Sequence, residues 1–320
     1  MSGTRADRLR RLAGAVIAVA LVAATLFLAR PGRVGNLLIS VDPRMMLCAL
    51  GASGASLAFR SLRLSLLLAP GSLNPFKAIP ITAAAQGAAV FVPARLGELA
   101  LPWLLKREIA LDGASGVATL LTARVLDTAA LGAWAGLAVL FLWGLDQPLA
   151  LGAALILLLP LLLLPVIVTA ADRWALDREE SWPTGRRVWA DRLHRIRTGL
   201  DEARRRPLRL AAAAAASMGS WAFQWTLAWC LLVAMGYRWP VWEVVTGSAI
   251  ASMSNLLPFN LIGNLGTLEA GWTAAFSAMG IKLEIAAATG LACHLWALVF
   301  VALFGAIGWM ALRLKPSTST

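Results

Sequence analysis

The feature that most constrains this chain is a succession of apolar runs, each about as long as a bilayer-spanning helix, with basic residues collected between and beside them. Hydropathy places spans at 13–29, 45–69, 78–92, 114–143, 149–171, 208–235, 241–257 and 285–311. At about 20 residues per span, 320 residues hold about eight crossings and short connections. The whole of 1–320 is therefore expected to be one integral membrane domain. The composition agrees, being 59% apolar and only 14% charged. In a soluble chain a net charge of +12 would suggest nucleic acid. Here the excess falls where loops facing the cytoplasm carry it, so no nucleic-acid partner is expected.

Orientation follows from the same residues. Segment 172–207 carries ten Arg against seven acids and reads as a cytoplasmic basic segment. Within it Trp189, Leu193, Ile196, Leu200 and Ala203 recur at helical spacing. An amphipathic helix on the anionic leaflet and a solvated linker helix fit this pattern equally. Arg5, Arg8, Arg10 and Arg11 precede the first run, and Ala29-Arg30-Pro31 follows it where a cleavage site would need small residues. A retained first span and cytoplasmic termini in the inner membrane are expected. The 30–44 link, with Arg30, Arg33 and Arg44, is more basic than an outer loop should be.

Two apolar stretches are broken by Pro, Gly and a single carboxylate: 93–104 and 255–280. Irregular backbone at membrane depth must be enclosed by protein or line a water-filled cavity, because lipid satisfies no N–H or C=O. Both therefore read as re-entrant or broken helical hairpins. Threaded with the basic anchors, one starts and ends inside and the other outside, so the fold expected is an all-α polytopic membrane protein with an inverted repeat.

Ionisable residues within spans mark functional candidates. Arg60 and Arg63 lie one turn apart, suited to gripping a phosphate or carboxylate, or to snorkelling at the membrane edge. Arg95 and Glu98 are three apart in the first break, and Arg124 and Asp127 three apart in a span, so each couple can pair locally. Glu269, after Gly263, Asn264 and Gly266, is a lone acid that needs an Arg, a proton or a free amide. His294 has no carboxylate near it in sequence and reads as a packing residue. Cys48, Cys230 and Cys293 lack metal-ligand spacing. There is no P-loop, metal cluster or G-x-S-x-G nucleophile, so no cofactor, metal or catalytic residue is expected.

Three blocks carry a resemblance. Pro93-Ala94-Arg95-Leu96-Gly97-Glu98 resembles the P-G-R-x-G-E block of the lysylphosphatidylglycerol synthetase transmembrane (flippase-like) family. Ala123-Arg124-Val125-Leu126-Asp127 is similar to its E-R-x-x-D block, and Pro258…Gly266…Glu269 to its late P-G-G-x-G-x-x-E block. Order and spacing agree over about 50–310. The resemblance implies a membrane domain that moves or handles lipids. In longer relatives it serves a fused aminoacyltransferase, which finds no counterpart here, so that activity is not carried over. Ala94 and Ala123 depart from the family's Gly and acid, and Phe259–Leu265 replaces its glycine-rich turn.

The reading is a transporter-like protein, not an enzyme, moving an anionic or phosphate-bearing lipid. Arg60, Arg63, Arg95 and Arg124 would form the positive cavity, with Glu98, Asp127 and Glu269 holding them. Pro93, Gly97, Gly263, Asn264 and Gly266 would shape the backbone around the lipid. Rival readings are an accessory subunit of a glycolipid or polyprenyl-lipid transferase, and a lipid-modifying enzyme with Glu98 or Glu269 as base. A homo-oligomer is compatible with all three.

Overall fold

The computed structural model describes residues 23–143, 166, 169–170, 173–174, 194–198, 201–202, 205–253 and 265–314, with side chains throughout except at 93–95, 139–140 and 142–143. Most of the expected span 149–171 and most of 172–207 lie outside them, as do Pro258, Gly263 and Asn264. After a helical stretch at 23–29 come α1 (Pro31–Ile39), α2 (Pro43–Leu67) and α3 (Pro75–Phe91). A 3-10 segment (Pro93–Leu99) leads to α4 (Ala100–Ile109) and α5 (Gly113–Trp143). The second half has α6 (Pro207–Ala234), α7 (Val241–Met253), α8 (Thr267–Ala278) and α9 (Leu283–Arg313). The chain is an all-α polytopic membrane protein. Helices α2, α5 and α9 are each long and apolar enough to cross a membrane, and bulky apolar side chains such as Phe27, Leu47, Phe76 and Leu208 stand exposed, as lipid-facing residues do.

Helix starts are written into the sequence. Proline sits in the first turn of α1, α2, α3 and α6, where its missing N–H costs nothing. Asp42 and Asn74 cap α2 and α3 by accepting from the N–H of Arg44 and Phe76. Between α3 and α4 the chain breaks and turns back on itself. A Cβ on Gly97 would lie 1.9 Å from the carbonyl oxygen of Ala88, so only glycine allows this close approach. Seven residues of 3-10 helix is long for that geometry, as found at hinges and functional breaks.

The same order of elements occurs twice: a long helix, two short helices folded on one another, then a long helix. Helices α2, α3, α4 and α5 make the first set, and α6, α7, α8 and α9 the second. Helix α8, of 12 residues, reaches only about 18 Å, short of the roughly 30 Å hydrocarbon core. Packing repeats as well. The two leading helices, α2 and α6, pack on each other, and each closing helix lies on the first short helix of the other set, α9 on α3 and α5 on α7. Ser56 Oγ donates to the carbonyl of Ser220 at 3.0 Å across the α2–α6 contact. Where α9 crosses α3, Gly87 and Gly305 bring the two backbones together.

The basic 30–44 link has its own explanation. Arg30 and Arg33 reach Glu284 at the start of α9, at 2.8 and 3.5 Å, which offsets part of its charge.

Gly97→Ala should lower stability by about 2 kcal/mol or more, because its methyl group meets backbone and not a movable side chain. Gly51→Ala, with nothing within 4 Å, should leave it unchanged. Thermal unfolding of the purified protein in detergent checks both.

Candidate functional site

Five of the candidate ionisable residues line one cavity. Arg60 and Arg63 come from α2, Glu98 from the 3-10 segment, and Arg124 and Asp127 from α5. Thr82 and Gln86 of α3 complete the polar wall, and the cavity encloses about 590 Å³ including its mouth.

Sequence spacing suggests Arg95 with Glu98 and Arg124 with Asp127, but the partners lie across helices. Arg63 forms a salt bridge with Asp127, and its Nη1 also donates to Ser217 Oγ of α6 at 3.0 Å. Both ionic side chains are buried. Arg124 grips Glu98 with two nitrogens, Nε to Oε2 at 3.2 Å and Nη2 to Oε1 at 3.1 Å. Such a fork is the strongest geometry for a guanidinium on a carboxylate. Long-range pairing wins because each acid sits in a wall that another helix completes. The side chain of Arg95 lies outside the described residues.

Three guanidiniums face two carboxylates here, so the cavity carries one positive charge in excess. The unmatched cation is Arg60, which forms no salt bridge among the described residues, and its Nε is buried without a hydrogen-bond partner. Thr82 Oγ1 in the same wall is likewise buried and unpartnered. Buried polar groups are nearly always satisfied, so two orphans facing one cavity mark where a ligand's acceptors would sit.

Glu269 does not join these arginines in an ion pair. It lies in the first turn of α8, almost fully enclosed, and accepts from the N–H of Gly266 at 2.7 Å, closing the helix start. Gly266 holds φ at +92°, a conformation glycine adopts without strain. The other carboxylate oxygen of Glu269 lies 2.6 Å from Nδ1 of His294 on α9. His294, Thr82, Gln86 and Ser217 are the site residues that sequence reasoning passes over. For His294 the signal is the lone acid itself, which needs a partner from another helix. Among the described residues no group of three acids, histidines or cysteines could hold a metal ion.

Breaking the deeper pair strands a charge. Asp127→Asn should therefore destabilise the protein by about 3–5 kcal/mol, whereas the double change Arg63→Met with Asp127→Leu should recover most of that loss. Thermal unfolding of the three variants in detergent separates these outcomes.

A comparison with curated proteins finds none that matches. The family model described as Lysylphosphatidylglycerol synthase TM region matches residues 12–305. That match spans the paired cavity residues and both sets of helices except the last turns of α9, and the chain belongs to the Lysylphosphatidylglycerol synthase TM region family.

Proposed function

We propose that this protein moves an anionic, phosphate-bearing lipid or glycolipid across the cytoplasmic membrane, with both termini and segment 172–207 on the cytoplasmic side. Family membership supports a lipid-related membrane role. The observation that carries the finer reading is Arg60, a cation unmatched among the described residues, with an unpartnered Nε, in a cavity within a membrane domain.

A phosphodiester supplies what this cavity lacks: one negative charge and several acceptors. Arg60 and Thr82 would bind it, and Gln86 would donate from the side. Arg63 and Arg124 stay committed to Asp127 and Glu98, which keeps them oriented and sets the net charge at one. A zwitterionic headgroup brings its own cation into a site that already has a surplus and is disfavoured. The reading assigns no bond-making step to any residue, and the protein acts as a carrier and not an enzyme.

The test uses purified protein in vesicles that contain fluorescent phosphatidylglycerol, with a membrane-impermeant quencher reporting movement between leaflets. Wild type should accelerate movement over protein-free vesicles. Arg60→Gln should slow it about tenfold or more, the loss of one charge-assisted contact, while the protein stays folded. Movement equal to that in protein-free vesicles, across anionic lipids, would overturn the reading.

A further inference from the structure

The two sets of helices can be laid on one another by counting from the first residue of each helix. Arg124 is the twelfth residue of α5 and His294 the twelfth of α9. Each lies against the glutamate of its own broken hairpin, Arg124 on Glu98 and His294 on Glu269. The same count brings Arg60 onto Gln224, Thr82 onto Ser248 and Gln86 onto Ser252. It brings Arg63 onto Leu227 and Asp127 onto Ala297, so both members of the buried ion pair are replaced together by apolar residues. Gln224, Leu227, Ser248, Ser252, His294 and Ala297 line one cavity of about 530 Å³, with Glu269 behind His294. The protein therefore has two cavities of the same design. One is lined by fixed charges, and no arginine lines the other.

What the second cavity keeps is an acid beside a titratable base. Glu269 is only 1% exposed and His294 8%. With a neutral ring the pair holds one buried negative charge, and a proton taken from water onto the pair brings its charge to zero. Imidazole is the side chain whose charge ordinarily changes between about pH 5 and 8. Of the titratable groups on α6 to α9, His294 and Cys293 line the cavity, with Glu269 against the ring. Arg209, Glu243 and Glu284 lie in the first turns of α6, α7 and α9 and Arg313 in the last turn of α9, and Glu284 is met by Arg30 and Arg33 of the α1 region. Cys230 of α6 is buried outside the lining. On α2 and α3, Arg60 and Arg63 line the first cavity, and Lys77 lies in the first turn of α3.

The cavities have walls in common through a third. A third, of about 370 Å³, lies between them and shares Gln86 with the first and Gln224, Leu227 and Ala297 with the second. Ser53 and Ser56 also line it, so polar side chains recur along the route from Arg60 to His294.

We infer that the Glu269–His294 pair is a proton-binding site, the counterpart of Glu98–Arg124, in which a mobile proton takes the place of a fixed guanidinium charge. Its role as coupling ion rests on the transport reading above. A lipid anion in the first cavity and a proton in the second then favour one another, each raising the affinity for the other by the same factor.

The experiment is a histidine titration by NMR with carbon-13-labelled His194→Gln protein, in which His294 is the one histidine left. Purified protein in lipid nanodiscs is titrated with and without phosphatidylglycerol. The ring should titrate, and the anionic lipid should move its midpoint upward by about one pH unit, a tenfold coupling. Glu269→Gln should lower the midpoint in both lipids. A ring that does not titrate, or a midpoint that phosphatidylglycerol leaves in place, overturns the proton site. In vesicles, wild-type lipid movement should depend on an imposed pH gradient, and His294→Gln should lose that dependence. Titration with the expected shift but no lipid movement in any vesicle would instead defeat the transport reading and leave the proton site standing.

Discussion

The salt bridge between Arg63 and Asp127 is the constraint around which the rest of this molecule is arranged. It joins α2 to α5, and Ser217 ties the same guanidinium to α6, so three helices meet at one buried charge pair. Neither ion could be left alone at that depth, because removing one partner exposes the other to the full cost of desolvation. Once that pair is formed, Arg60, one turn earlier on α2, is held in the same wall with no acid of its own among the described residues. The positive cavity is the remainder after structural charges have cancelled.

Much of this is legible in the amino-acid sequence. Apolar runs locate α2, α3, α5, α6, α7 and α9 to within a few residues, whereas α1 falls in what reads as a link, and Pro and Gly locate the break between α3 and α4, because lipid tolerates neither loose backbone nor unpaired charge. The ionisable residues lining the first cavity are identifiable for the same reason. Their partners are not. Arg124 and Asp127 share a helix and stand three apart, yet each is claimed by a residue from another element, Glu98 and Arg63. Spacing along a helix says which side chains can meet locally, while tertiary packing decides which do. His294 escapes notice because its carboxylate arrives from another helix. The correspondence between the two cavities is hidden more deeply, since charge has been replaced by amide or hydrocarbon at matched positions. Only helix starts reveal the common count.

The comparison of the two sets of helices also explains why so few charges suffice. At the first cavity two acids orient two arginines, and one arginine has no acid among the described residues. Beside the second cavity a single acid is almost completely enclosed and meets an imidazole and a backbone N–H. One half thus carries permanent charge and the other a charge that depends on a proton, within the same arrangement of long and broken helices.

The central claim is that the cavity around Arg60 holds a phosphate-bearing headgroup, and photocrosslinking tests it most directly. A photoreactive residue placed at Thr82, with the protein in vesicles of mixed lipids, is irradiated, and the adducts are identified by mass spectrometry. The account expects anionic phospholipid to be captured well above its share of the membrane, and that enrichment to disappear when Arg60 is also changed to Gln. Capture in proportion to bilayer composition, or enrichment of zwitterionic lipid, would contradict it.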